Sequence, residues 1–160
     1  MQLSSKTYNV LSMTEPSLKV TTISSTKKSR GKSESLLYAS QPAAGFPAPG
    51  DDMVEKPLDL NDLLIDNPTS TFFVWVKGDS MEGAKIHDGD ILIVDRSIEP
   101  QSGQVVVAAV YGELVVKRLA VTNGQLSLVS EHEDYAPIVV AEAEDCFVWG
   151  VVTGSARVIV

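Results

Sequence analysis

Cysteine is nearly absent from this chain. Only Cys146 is present, so no internal disulfide can form, and a reducing compartment is the expected setting. No apolar run approaches the roughly 18 residues that a membrane-spanning helix needs, so no membrane association is expected. The N-terminus lacks the apolar stretch and small-residue cleavage site of a secretory signal, which makes the cytoplasm the predicted location. The two histidines, His87 and His132, and the lone cysteine are too scattered for a recognisable metal site, and no Gly-rich phosphate loop occurs. No metal, nucleotide or other cofactor is predicted. Nor does any internal repeat recur at a fixed period.

Positive charge is scarce outside the N-terminal region. The 160 residues carry a formal charge of −8; residues 1–44 hold six Lys/Arg against two Glu, and residues 45–160 hold seven basic against nineteen acidic side chains. A body this acidic repels phosphate backbones, so direct nucleic acid binding by residues 45–160 is not expected and protein partners are. The cluster Lys27, Lys28, Arg30 and Lys32 lies in a Ser/Thr-rich tail and reads as a solvated basic segment.

Residues 1–35 show neither helical nor strand periodicity and offer little apolar surface against the entropy of ordering, so they read as flexible. Residues 36–57, which include the stretch 41–50, Gln-Pro-Ala-Ala-Gly-Phe-Pro-Ala-Pro-Gly, hold four prolines and read as an extended arm able to lie along another surface. In residues 59–66 the apolar positions Leu60, Leu63 and Leu64 share a helical face, with Asp59 as N-cap and Pro68 beyond the end. From Thr71 onward the pattern changes to short β-rich runs: 71–76, 90–95, 104–110, 113–119, 125–129, 137–140, 146–153 and 156–160. Asp88-Gly89, Tyr111-Gly112 and Asn123-Gly124 punctuate them as turns. The predicted fold is mainly β, compact, of short and mostly antiparallel strands, with one short helix and a flexible N-terminal arm. Trp75 and Trp149 are expected in core or interface packing, and Cys146 as a small buried hydrophobe.

Ser80 follows Gly78-Asp79 directly after a predicted strand, where an exposed nucleophile can emerge from a turn. A serine needs a base within hydrogen-bond reach and N–H groups to receive a developing oxyanion. On its own such a turn reads as a serine capping its backbone. The candidate bases are His87, His132 and Lys117. Both histidines lie in polar loop sequence, and no Ser-His-Asp triad is evident. Lys117 stands in the otherwise apolar run Glu113–Leu119; pointing inward it is desolvated and becomes a neutral base, pointing outward it is an ordinary charge where a strand meets solvent.

Gly78-Asp79-Ser80-Met81, then 88–95 (Asp-Gly-Asp-Ile-Leu-Ile-Val-Asp), then Val115-Val116-Lys117-Arg118-Leu119 resemble, in order and spacing, the LexA/UmuD family of Ser/Lys self-proteases (peptidase S24). Upstream, Gly45-Phe46-Pro47-Ala48-Pro49 and residues 58–65 are similar to the UmuD branch in particular, and the likeness runs over about residues 44–153. The resemblance implies a serine endopeptidase with Ser80 as nucleophile and Lys117 as base, cutting the chain's own Ala44–Gly45 bond. It implies a domain layout of a basic arm 1–44 removed by cleavage, an extended Pro-rich segment 45–57 and a peptidase-like body 58–160. The backbone N–H groups of Asp79 and Ser80 are the expected oxyanion hole. A homodimer is implied, with cleavage stimulated by a RecA filament on single-stranded DNA. The processed form would then join a UmuC-like Y-family polymerase for error-prone translesion synthesis in the SOS response.

The basic tail before Gly45 is longer than the short arm familiar in the UmuD branch. Residues 1–44 contain no pair of amphipathic helices, so a LexA-like repressor fragment would lack a helix-turn-helix. A second reading from a different class is a non-catalytic interaction module that regulates a polymerase. A third, a signal peptidase relative acting on other proteins, lacks its usual membrane anchor.

Overall fold

The computed structural model describes residues 18–25, 35–38, 54–143 and 145–159; Ala44, Gly45 and the basic cluster 27–32 lie outside them. Among the described residues, ten strands and one short α-helix follow one another: β1 (Lys19–Ser25), β2 (Ser35–Tyr38), β3 (Val54–Leu58), α1 (Leu60–Leu64), β4 (Thr71–Lys77), β5 (Ile91–Asp95), β6 (Val105–Val110), β7 (Glu113–Thr122), β8 (Gln125–Val129), β9 (Ile138–Val139) and β10 (Phe147–Ala156). Eight strands form one antiparallel sheet in the order β1-β4-β5-β10-β6-β7-β8-β9, and β1 also pairs with β7. That last pairing closes six strands into a barrel, which leaves no edge along the seam. Among the described residues, β2 and β3 pair only with each other, with Tyr38 opposite Val54.

The mainly β expectation holds, and so does the turn chemistry. The β6–β7 and β7–β8 connections are two-residue turns: Tyr111 and Gly112 have φ of 50° and 81°, Asn123 and Gly124 have φ of 53° and 76°. Positive φ at both central residues is the turn that matches the right-handed twist of the flanking strands. β10 crosses between β5 and β6 with register shifts at Val148/Gly150 and Val152/Gly154, and such bulges bend a strand around a barrel. A side chain at Gly150 would begin 2.7 Å from Val94 Cγ1, so this close crossing requires glycine.

Two apolar clusters fill the molecule. One gathers Leu18, Val74, Val76, Met81, Ile86, Leu92, Val94, Val107 and Val116; the other gathers Val106, Ala108, Val110, Val115, Leu119, Leu128 and Val151. β6 supplies both, because successive side chains face opposite sides of the sheet. α1 starts where expected, with the Asp59 carboxylate accepting from the Asn61 N–H at 2.8 Å. Its apolar face is largely uncovered: Leu60 and Leu63 are exposed.

Three differences from the sequence reading concern the elements. Lys19–Ser25 is a strand although no periodicity marks it, because its register shifts between Val20 and Thr22 and breaks the alternation. The run 156–160 is not a strand of its own. β10 ends at Ala156, and Arg157 turns to bond the buried Asp90 carboxylate through Nε at 2.6 Å and Nη2 at 2.8 Å, which takes the backbone out of the ladder. Cys146 is half-buried rather than core, and burial pushes its thiol pKa up. Trp149 packs against the core and lies tilted at 60° against the Phe72 ring, centroids 5.3 Å apart, while Trp75 stays partly exposed.

Candidate functional site

The barrel seam is where the two candidate reactive residues meet. β4 ends at Lys77, and the connection to β5 opens with Gly78 at φ 121°, a conformation that L side chains rarely adopt. The Gly78 N–H donates to Asp88 Oδ1 at 2.8 Å, which ties the two ends of this connection together. Asp90 holds its far end: besides Arg157, its carboxylate accepts the His87 N–H at 2.9 Å. The Arg157 hydrogen bonds outweigh the cost of burial and hold the Asp90 carboxyl below the usual range.

The same connection is stitched to the segment that follows β8. The Glu131 N–H donates to the Ser80 carbonyl at 2.9 Å, and the Gly83 N–H donates to the Glu131 carbonyl at 2.9 Å. A Cβ at Gly83 would lie 2.6 Å from that carbonyl oxygen, so glycine permits the approach. Glu131 also pairs through its side chain with Arg118, next to Lys117. The stretch 130–131 therefore bridges the element bearing Ser80 and the strand bearing Lys117.

Lys117 lies mid-strand on β7, opposite Val106 of β6. Its side chain points inward and only 3 % of the residue is exposed; Ser80 is fully buried. Lys117 Nζ lies 3.3 Å from Ser80 Oγ and 2.5 Å from Ser130 Oγ. The Tyr135 ring centre is 5.2 Å from Nζ, and the Tyr135 hydroxyl donates to Asp79 Oδ1 at 2.7 Å. Burial disfavours an ammonium ion and favours the neutral amine, the form able to accept a proton. The described residues contain no group of three or more His, Cys, Asp or Glu side chains placed to hold a metal.

A nucleophilic hydroxyl, an amine within hydrogen-bond reach and exclusion from bulk water are what acyl transfer by serine requires. The comparison with known families agrees with that arrangement: residues 36–153 match the family described as Peptidase S24-like.

This chain belongs to the Peptidase S24-like family.

Curated relatives extend the match. Protein ImpA of Salmonella typhimurium is 40 % identical over 118 residues, spanning 73 % of this chain and 79 % of that protein. Protein MucA of Escherichia coli is 37 % identical over 120 residues, spanning 74 % and 82 %. The LexA repressor of Bordetella parapertussis is 38 % identical over 115 residues, spanning 72 % of this chain and 53 % of the repressor. S24 membership places the chain among self-cleaving serine peptidases, and no described helix is long and apolar enough to cross a membrane.

Of the residues singled out in the sequence, the S24 barrel brings Ser80, Lys117 and Asp79 together. His87 stands apart, half-exposed, 3.9 Å from Glu82. His132 lies edge-on to Tyr135 and 3.6 Å from Asp134. Three neighbours of the site carry no sequence signal: Ser130, which merely follows an apolar strand; Tyr135, which lies in loop sequence; and Leu18. The Leu18 N–H donates to Ser80 Oγ at 2.9 Å, and the Leu18 carbonyl accepts from the Val116 N–H at 3.0 Å.

Proposed function

We propose that this S24 protein is a self-cleaving serine endopeptidase that cuts its own Ala44–Gly45 bond, with Ser80 as nucleophile and Lys117 as base. The observation that carries the reading is the 3.3 Å approach of Lys117 Nζ to Ser80 Oγ among buried side chains. The neutral amine takes the Ser80 proton as Oγ attacks the Ala44 carbonyl carbon, and the backbone N–H groups of Asp79 and Ser80 receive the oxyanion. The resulting ammonium then gives its proton to the departing Gly45 nitrogen, leaving an acyl ester on Ser80 that water hydrolyses with Lys117 again as base. Ser130 positions the amine: its hydroxyl at 2.5 Å holds Nζ toward Ser80. A small residue followed by glycine lets the scissile strand approach Oγ without a side-chain clash.

Cleavage would release residues 1–44 and leave the Pro-rich segment 45–57 attached to the body 58–160. By likeness to ImpA and MucA, we infer that the processed form acts as a homodimer with a UmuC-like translesion polymerase in the SOS response, and that a RecA filament on single-stranded DNA stimulates cleavage. The acidic body, charge about −12 from its nineteen acidic and seven basic residues, suits a protein that meets DNA through protein partners.

The test is intact-mass analysis of wild-type, Ser80→Ala and Lys117→Ala chains after incubation at alkaline pH, with and without RecA, single-stranded DNA and ATP. A fragment beginning at Gly45 in the wild type alone is the expected result. An intact wild type under every condition would sink the protease reading in favour of the interaction module.

A further inference from the structure

β1 is the strand that closes the barrel, and it does so across the reactive pair. Lys19 sits opposite Lys77 at the end of β4 and opposite Val115 on β7, so one residue spans the two edges that carry Ser80 and Lys117. The preceding residue, Leu18, is fully buried in the apolar cluster with Val76, Met81 and Val116. β1 lies before the residues 36–153 that match the family, and thus forms no part of the barrel that the match covers.

The contact at Ser80 is unreactive. The Leu18 N–H points at Oγ, so Oγ lies near the plane of that amide, whereas attack on a carbonyl carbon must come from above its plane. The hydroxyl thus accepts a hydrogen bond from a backbone group and is screened by the strand that supplies it. An extended substrate seated between β4 and β7 would need the same N–H and C=O groups, since adding a strand to free sheet edges is how such a cleft binds peptide.

We propose that Leu18–Ser25 is a built-in inhibitory strand that competes with the Ala44–Gly45 segment for this cleft, so that self-cleavage waits on its displacement. The inference rests on the Ser/Lys reading of the site. The strand's hold is mainly a backbone ladder to β4, from Lys19 opposite Lys77 to Ser25 opposite Phe72, which a competing extended segment can replace bond for bond. Apart from Leu18, its side chains are exposed or half-buried, and its outer ties are the exposed Lys19–Glu113 pair at 2.7 Å and a Thr21 hydroxyl bond to the Trp75 carbonyl at 3.2 Å. Beyond Lys19 it diverges from the β6–β7 turn, leaving a crevice of about 350 Å³ along Val20–Ile23 and Gly112–Leu114.

Leu18→Asp places a carboxylate in the apolar pocket and expels the strand. Unaided appearance of the Gly45 fragment should then accelerate about tenfold or more, because apparent substrate binding is reduced by the fraction of closed cleft. A rate equal to or below that of the wild type overturns the proposal. Should Leu18→Asp fail to fold, a reversible cross-link decides. Ser24 and Phe73 lie directly opposite across β1 and β4, a geometry that accepts a disulfide. In a Ser24→Cys, Phe73→Cys, Cys146→Ser chain, oxidation should stop cleavage and reduction restore it; cleavage that continues when oxidised counts against the strand. A binding measurement separates this idea from the protease reading. In a Lys117→Met background, a labelled peptide of residues 39–50 should bind about tenfold tighter once Leu18 is also Asp. Equal affinity sinks the inhibitory strand, whereas tighter binding to a chain that never cleaves keeps it and removes the chemistry.

Discussion

Lys117 and Ser80 meet at one point but are held by opposite kinds of structure. Lys117 rides on β7, bonded to β6 on one side and β8 on the other, and its neighbours Val115, Val116 and Leu119 are buried. Its position follows from two short turns and an apolar pattern. Ser80 lies in the connection 78–90, where no ladder runs. That connection is held by side chains and by a neighbouring backbone: the carboxylates of Asp88 on the Gly78 N–H and of Asp90 on the His87 N–H and Arg157, and the Glu131 main chain on both Ser80 and Gly83. A lysine proposed as base benefits from a rigid, dry strand, since desolvation disfavours a charged ammonium. A nucleophile benefits from a turn, where backbone N–H groups can be directed at a reacting oxygen.

The comparison can be broken from either side. Lys117→Ala or Ser80→Ala should lower the rate of Gly45-fragment formation about a thousandfold or more, as seen when either member of a nucleophile–base pair is lost. Equal, modest losses would mean that the pair does not act together. Next in size is Asp90→Ala, which strands the half-buried His87 N–H and removes the anchor of the Ser80 connection. It should cost about 3 kcal/mol in urea unfolding, and a loss under about 1 kcal/mol would show that the connection is held elsewhere.

Asp95 gives a smaller, pH-dependent effect at the end of β5. Burial raises its carboxyl, but hydrogen bonds from Asn67, Ser97 and Ser70 outweigh that and bring its pKa down to about 2. A depressed carboxyl stabilises the fold above its unfolded value and loses that contribution as pH falls through the folded one. About 2 kcal/mol should therefore vanish between pH of about 4 and about 2. An Asp95→Asn chain, measured by the same unfolding curves, should show a shallower acid loss by about that amount.

Ser130→Ala should slow cleavage about tenfold and alter its dependence on pH, because Nζ loses the hydroxyl held against it, while Ser130→Thr restores the rate. A stability change with an unaltered pH profile would make Ser130 structural only. The smallest effect belongs to the strand side. Gly124→Ala meets open space but keeps φ near +76°, so its cost is conformational alone, about 1 kcal/mol, with cleavage chemistry unchanged in form.

Much of the ladder region was legible from local pattern. Asn123-Gly124 and Tyr111-Gly112 between β-branched runs announced two hairpins, and β6 to β8 stand within a few residues of expectation. The Ser80 connection was legible only through its resemblance to the LexA/UmuD family, because a Gly-x-Ser turn carries no periodicity. Ser130, Tyr135 and Leu18 were not legible at all. Ser130 is 13 residues from Lys117 and Leu18 is 62 from Ser80, and nothing in the local composition of either says what it will face.

The amino-acid sequence by itself determined a mainly β chain, the tight turns that set its hairpin registers, an acidic body behind a basic N-terminal region, and the motif blocks that bear Ser80 and Lys117. These depend on local φ/ψ preference, alternation and charge, which act over a few residues. Tertiary structure alone decided that Lys117 points inward, that Ser130 lies against its amine, that Asp90 captures Arg157 from the end of β10, and that Leu18–Ser25 closes the seam over Ser80. Each of these is a contact between segments far apart in the chain, and its energy exists only once the barrel has brought them together and excluded water.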